Sequence, residues 1–209
     1  VLFISITITA ILSVLEREYH KNYMYAKTAL NVLNDINLLL CTCTTTMSVV
    51  TWRKNQWEKL ITHIQIMVSS ENTNRIQHDV LISIVKLLVD LIVIICVYVF
   101  WCKHFGFVPY TKTYGSQYIQ FYLVYAYITV IGFILNVIKL KYEHLNKLFQ
   151  KQVTVSNIST KKIFFTLTNI ERNIYFLKDV VDNFNAVFGW PIALIISNTN
   201  LYVLNNLDY

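Results

Sequence analysis

The sequence predicts an all-α, polytopic transmembrane helix bundle, with long helix extensions in the cytoplasm and the N-terminus inside. Three observations predict it. Val80 to Cys102 (VLISIVKLLVDLIVIICVYVFWC) is an apolar run of 23 residues broken only by Ser83, Lys86 and Asp90, long enough for the roughly 30 Å hydrocarbon core of a bilayer. Of the 209 residues, 55% are hydrophobic and only 14% charged, with a mean hydropathy of +0.46, whereas an ordinary globular domain carries about 25% charged residues. Four Gly and two Pro leave few turns, so long helices dominate. The formal net charge of +6 fits basic cytoplasmic loops better than a nucleic-acid partner.

The whole chain, residues 1–209, reads as one membrane domain, and its elements follow in order. Residues 1–15 hold no charge and make about 22 Å of helix, short of a full crossing, so the first span is expected to be cut. A secretory signal is the competing reading. No basic stretch precedes the run, however, and Glu16-Arg17-Glu18 stands where a small-residue cleavage site belongs. After a polar connector, the second span is placed at residues 28–52. There Asn31, Asp35, Thr42 and Thr45 recur at helical spacing, as in a span with one face toward protein or water and the other toward lipid.

Residues 53–79 form a mixed-charge connector, in which Trp57, Leu60, Ile61, Ile64 and Val68 predict a helix reaching beyond the membrane. The third span is residues 80–102. Gly106, Pro109 and Gly115 then predict a loop over 103–117, and the fourth span is residues 118–140. Beyond it, Ile163, Leu167, Ile170, Ile174, Leu177, Val181, Phe184 and Phe188 repeat in steps of three and four, running without a break into a fifth span at residues 180–204. A single helix over 160–204 is about 67 Å long, so half of it must stand outside the bilayer.

Successive connectors carry three, four, two and eight Lys and Arg residues. The positive-inside rule puts the connectors with four and eight in the cytoplasm, and the N-terminus with them. Asn157-Ile158-Ser159 matches the N-glycosylation acceptor pattern, but this topology keeps it from the glycosylation machinery. In a microsomal insertion assay Asn157 is expected to stay unmodified; its glycosylation would reverse the orientation and favour a G-protein-coupled receptor.

Several polar residues stand out within the spans. Tyr118, Tyr122, Tyr125, Thr129, Gly132 and Asn136 form one stripe on the fourth span, which suits either a helix contact face or the wall of a small-ligand cavity. Lys86 and Asp90 are one helical turn apart, so an intramembrane charge pair is expected, either for mutual neutralisation or for a response to a ligand or ion. Pro191 predicts a kink in the fifth span. Cys41, Cys43 and Cys96 sit in apolar runs and suggest neither a disulfide framework nor a metal site. No Ser/His/Asp arrangement, Gly-rich phosphate loop or H-E-x-x-H pattern occurs, so neither enzymatic activity nor a cofactor is expected.

Residues 173–198 (NIYFLKDVVDNFNAVFGWPIALIISN) and 51–66 (TWRKNQWEKLITHIQI) carry a family resemblance. The first resembles a block of the insect gustatory receptors in which a long cytoplasmic helix leads through a Phe-Gly pair into a Leu/Ile-rich span. The second resembles that family's first cytoplasmic loop. The resemblance implies a seven-span chemosensory receptor of the plasma membrane with its N-terminus inside, working as a ligand-gated cation channel of four like or unlike subunits. A small-molecule tastant would bind in the outer half of the bundle, in a pocket drawn from Asp35, Tyr98, Trp101, Tyr122, Tyr125, Asn198 and Tyr202. The chain stops after five spans, so the last two, including the pore-lining one, are expected to be missing and this piece alone should not conduct. Insect odorant receptors share the architecture and remain an alternative. A secondary transporter is another, although neither internal repeats nor matched Gly- or Pro-rich breaks are present.

Overall fold

The structure is a computed structural model and describes residues 7–9, 11–12, 25–70, 73–154 and 160–207. Every described residue except Arg53 and Gly106 is helical. Among them run α1 (Tyr25–Met47), extended by a π-helical turn (Ser48–Trp52), then α2 (Lys54–Ser70), α3 (Thr73–Phe105), α4 (Phe107–Thr154) and α5 (Thr160–Leu207). Of the first expected span only residues 7–9 and 11–12 are described, and Asn157 lies outside the described residues.

Three of these helices are long and apolar enough to cross a membrane, over His78–Phe105, Phe107–Gln150 and Leu167–Leu204. They contain the third, fourth and fifth spans read from the sequence. At 48 residues each, α4 and α5 are about 72 Å long, more than twice a hydrocarbon core. The segment 28–52 is helical but not among the three. Asn34, Asp35, Asn37, Thr42, Thr45 and Ser48 dilute its apolarity, and all six are buried. Its polar face thus meets protein. The threonines are satisfied locally: the Thr42 hydroxyl donates to the Leu38 carbonyl at 2.9 Å and that of Thr46 to the Thr42 carbonyl at 2.8 Å, the back-bonding that lets a Thr-rich helix sit among apolar neighbours.

The loop expected over 103–117 is reduced to one residue. Gly106 adopts φ +86°, the left-handed conformation that ends a helix and that side chains with a Cβ disfavour. Helix α4 begins at once, and Pro109 falls in its first turn, where a missing N–H costs nothing. The turn signals were real, but two of the three lie inside the next helix.

The main core joins α2, α4 and α5. Leu60 and Met67 of α2, Ile131, Ile134 and Val137 of α4, and Val180, Phe184, Val187 and Phe188 of α5 are buried together. Four of the five apolar positions read in 53–79 point into it; Ile61 does not and is exposed. On α5 the buried positions include Ile170, Leu177, Phe184 and Phe188 as expected, while Leu167 and Ile174 are exposed, because the helix turns its Val180–Val187 side inward. His63 of α2 adds a clasp, its Nε2 3.6 Å from Asp179 Oδ2 and its ring edge-on to Phe176. A second, smaller core joins Leu38 and Cys41 of α1 to Val124 of α4. Helix α5 continues through Pro191, which is fully buried.

Helix α3 differs from the rest. It lies along α4 and barely touches α2, and none of its most apolar stretch is buried within the chain. Leu81, Leu88, Ile92, Val99 and Phe100 are all more than half exposed, a surface that water alone would not tolerate and lipid would.

Candidate functional site

The seam between α3 and α4 is where the polar stripe of α4 comes to lie. Residues 91, 94, 95 and 98 on α3 form one helical face, and 111, 115, 118, 119 and 122 on α4 form the facing one; together they enclose a cavity of about 600 Å³. Gly115 and Ser116 keep the α4 wall low. Thr9 and Leu12 close the cavity from the N-terminal segment. Its walls are mostly apolar, and two of its hydroxyls are already engaged: Tyr98 with Thr111, and Tyr118 with Tyr110 at 2.7 Å. Tyr98 also meets Tyr118 edge to face at 5.4 Å, a geometry that aromatic quadrupoles favour.

A second cavity of about 340 Å³ lies between α3, α4 and α5. Tyr118 and Ile94 line both cavities and form the partition between them. Tyr125, Asn198 and Tyr202 line the second alone. Asn198 is 9% exposed, and its Oδ1 is buried without a hydrogen-bond partner. A buried acceptor left unpaired costs about 1–3 kcal/mol, so a donor delivered by a ligand would be rewarded there.

The seven pocket residues inferred from the sequence are therefore divided. Tyr98 and Tyr122 belong to the larger cavity, and Tyr125, Asn198 and Tyr202 to the smaller. Asp35 is in neither: it is buried on α1, which packs against α5 and α4. Trp101 is also in neither. Its ring stacks on Phe105 at 5.6 Å, and Phe105 stacks on Tyr110 at 6.0 Å, so it caps the Gly106 turn. Thr111, Gly115 and Ser116 were missed because they fell in the expected loop. The signal was nonetheless present, since Thr111, Gly115 and Tyr118 continue the Tyr118-Tyr122 stripe backward in steps of four and three.

The lower half of the stripe lines a third cavity, of about 370 Å³, with Asp79, Ser83 and Lys86 of α3 opposite Thr129, Gly132 and Asn136 of α4. The Asn136 amide donates to Asp79 Oδ2 at 2.8 Å and ties the two helices. A Cβ on Gly132 would meet nothing within 4 Å, so this glycine leaves space instead of drawing the backbones together. The stripe is thus both a helix contact face and a row of cavity walls.

The expected Lys86–Asp90 ion pair is not formed. Lys86 is exposed and faces the third cavity, whereas Asp90 Oδ2 is buried and has no hydrogen-bond partner. One turn of separation permits a pair, but a lysine side chain leans toward its own helix N-terminus, here toward Asp79 and away from Asp90. No family model, curated protein or solved structure matches the chain.

Proposed function

We propose that this chain is part of a chemosensory receptor subunit of the insect gustatory type. In this reading it is a multi-pass protein of the plasma membrane with its N-terminus inside. It binds a small tastant in the outer half of its bundle and, as a homo- or hetero-tetramer completed by a pore-lining span, gates cations. The observation that carries the reading is the pair of aromatic-walled cavities at the end of the bundle nearest the Gly106 turn, one of them lined by Asn198, whose buried Oδ1 has no hydrogen-bond partner. Apolar walls with a few fixed polar tips are the usual make-up of small-molecule sites. The long helical extensions at the opposite end support it as well, because they supply packing surface outside the bilayer.

The same walls narrow the ligand class. A sugar would need partners for many hydroxyls, while the Tyr98 and Tyr118 hydroxyls are already bonded within the protein. The site suits a compact, largely apolar molecule with one hydrogen-bond donor. Indole and N-methylindole share an apolar body and differ in that donor. The purified chain in lipid nanodiscs is expected to bind indole about 5–10-fold more tightly, as one hydrogen bond to a buried acceptor predicts. Asn198→Leu should erase the difference. Equal binding of the two indoles by the unsubstituted chain, or no binding of either, would count against a ligand site here.

A further inference from the structure

The third cavity holds both signs of charge in an order that has meaning in a membrane. Asp79 stands at the N-terminal edge of the apolar part of α3, beside His78, and Lys86 lies seven residues further into it, about 10.5 Å along the axis. A helical lysine stem leans toward the N-terminus of its own helix, here toward Asp79, and the two side chains line the same cavity. Ser83 lies between them on the same face. Whichever side of the membrane this end of α3 occupies, the negative group is nearer the water and the positive group nearer the lipid tails. A zwitterionic phospholipid presents the complement: its ammonium outermost and its phosphate closer to the glycerol.

We propose that this cavity is a binding site for an ethanolamine phospholipid of the leaflet at the N-terminal end of α3. The phosphate is held by Lys86 as a charge-assisted contact. The primary ammonium meets Asp79, whose carboxylate is fixed by the Asn136 amide at 2.8 Å. Ile82, Ile128 and Phe133 flank the polar groups in the same cavity, and one acyl chain follows the exposed apolar surface of α3 beyond them. Asp79 also sets the selectivity. A choline headgroup has no N–H to donate, and a purely anionic headgroup is repelled. The space left at Gly132 gives the headgroup room. The proposal needs α3 and α4 to lie in lipid but does not depend on the receptor reading.

Native mass spectrometry of the 209-residue chain, released from vesicles of equal phosphatidylethanolamine, phosphatidylcholine and phosphatidylglycerol, tests it. Retained phosphatidylethanolamine should exceed phosphatidylcholine about tenfold, the scale of one charge-assisted hydrogen bond. Lys86→Gln should lower the retained phosphatidylethanolamine by a similar factor, Asp79→Asn should remove the preference over phosphatidylcholine, and Lys103→Gln at the other end of α3 should change nothing. Equal retention of the three lipids by the unsubstituted chain, or a preference for phosphatidylglycerol, overturns the proposal without reference to any variant. So does a phosphatidylethanolamine preference that survives both Lys86→Gln and Asp79→Asn. The indole comparison is read separately, so either idea can fail alone.

Discussion

Replacing Phe188 with alanine is expected to lower the stability of the bundle by about 3–5 kcal/mol, the range for a fully buried phenylalanine. Its ring is completely buried. It meets Trp57 of α2 edge-on at 5.8 Å, Tyr127 of α4 at 5.3 Å and Phe184 of its own helix at 4.9 Å. Three helices therefore converge on one side chain. A void left at such a junction cannot be filled by sliding one helix, because Leu60, Ile131 and Val187 already hold the others in place. Thermal unfolding in detergent, followed by circular dichroism, reads the effect. Trp190, two residues on and 66% exposed, provides the comparison; its replacement by alanine should change stability by about 0.5 kcal/mol or less. If Phe188→Ala cost no more than Trp190→Ala, the α2–α4–α5 core described above would be wrong.

Asp90→Leu is expected to act in the opposite direction. A carboxylate at the centre of a spanning helix costs about 2.5–3.5 kcal/mol on insertion scales, and the offset a paired lysine would supply is missing because Lys86 faces away. With Oδ2 buried and unpartnered, leucine removes a penalty without removing a contact. An α3 segment carrying the substitution should insert more efficiently by about that amount in a translocon assay. The effects of Asp90→Leu and Lys86→Gln should also add within about 0.5 kcal/mol, as for residues that do not interact. Coupling of about 1 kcal/mol or more between them would restore the ion pair and remove the reason for the prediction.

Much of the fold is legible in the sequence. The apolar run at 80–102, the Tyr118–Asn136 stripe and the Ile170–Phe188 repeat all mark real helices with the expected periodicity. Errors arose where local signals compete. Pro109 and Gly115 are turn formers in general, but a proline in the first helical turn forfeits nothing and a glycine inside a long helix costs only about 1 kcal/mol against alanine. Segment 28–52 was helical as expected, yet its buried Asn and Thr residues leave its apolarity short of the other three helices. At the candidate site, five of the seven pocket residues line cavities. Asp35 and Trp101 line neither of the two cavities at the Gly106 end, since their depth was inferable but the direction their helices turn them was not.

The sequence by itself determined that the described part of this chain is helical, where its most apolar helical stretches lie and which residues share a face, because backbone hydrogen bonds and the 3.6-residue period act over one or two turns. Only the tertiary structure decided which faces meet. Lys86 comes to line one cavity with Asn136 of α4, and Tyr118 divides one expected pocket into two, as a result of how α3 rotates against α4 and of the space left at Gly132. That rotation is set by packing between residues far apart in the chain, which no local pattern encodes.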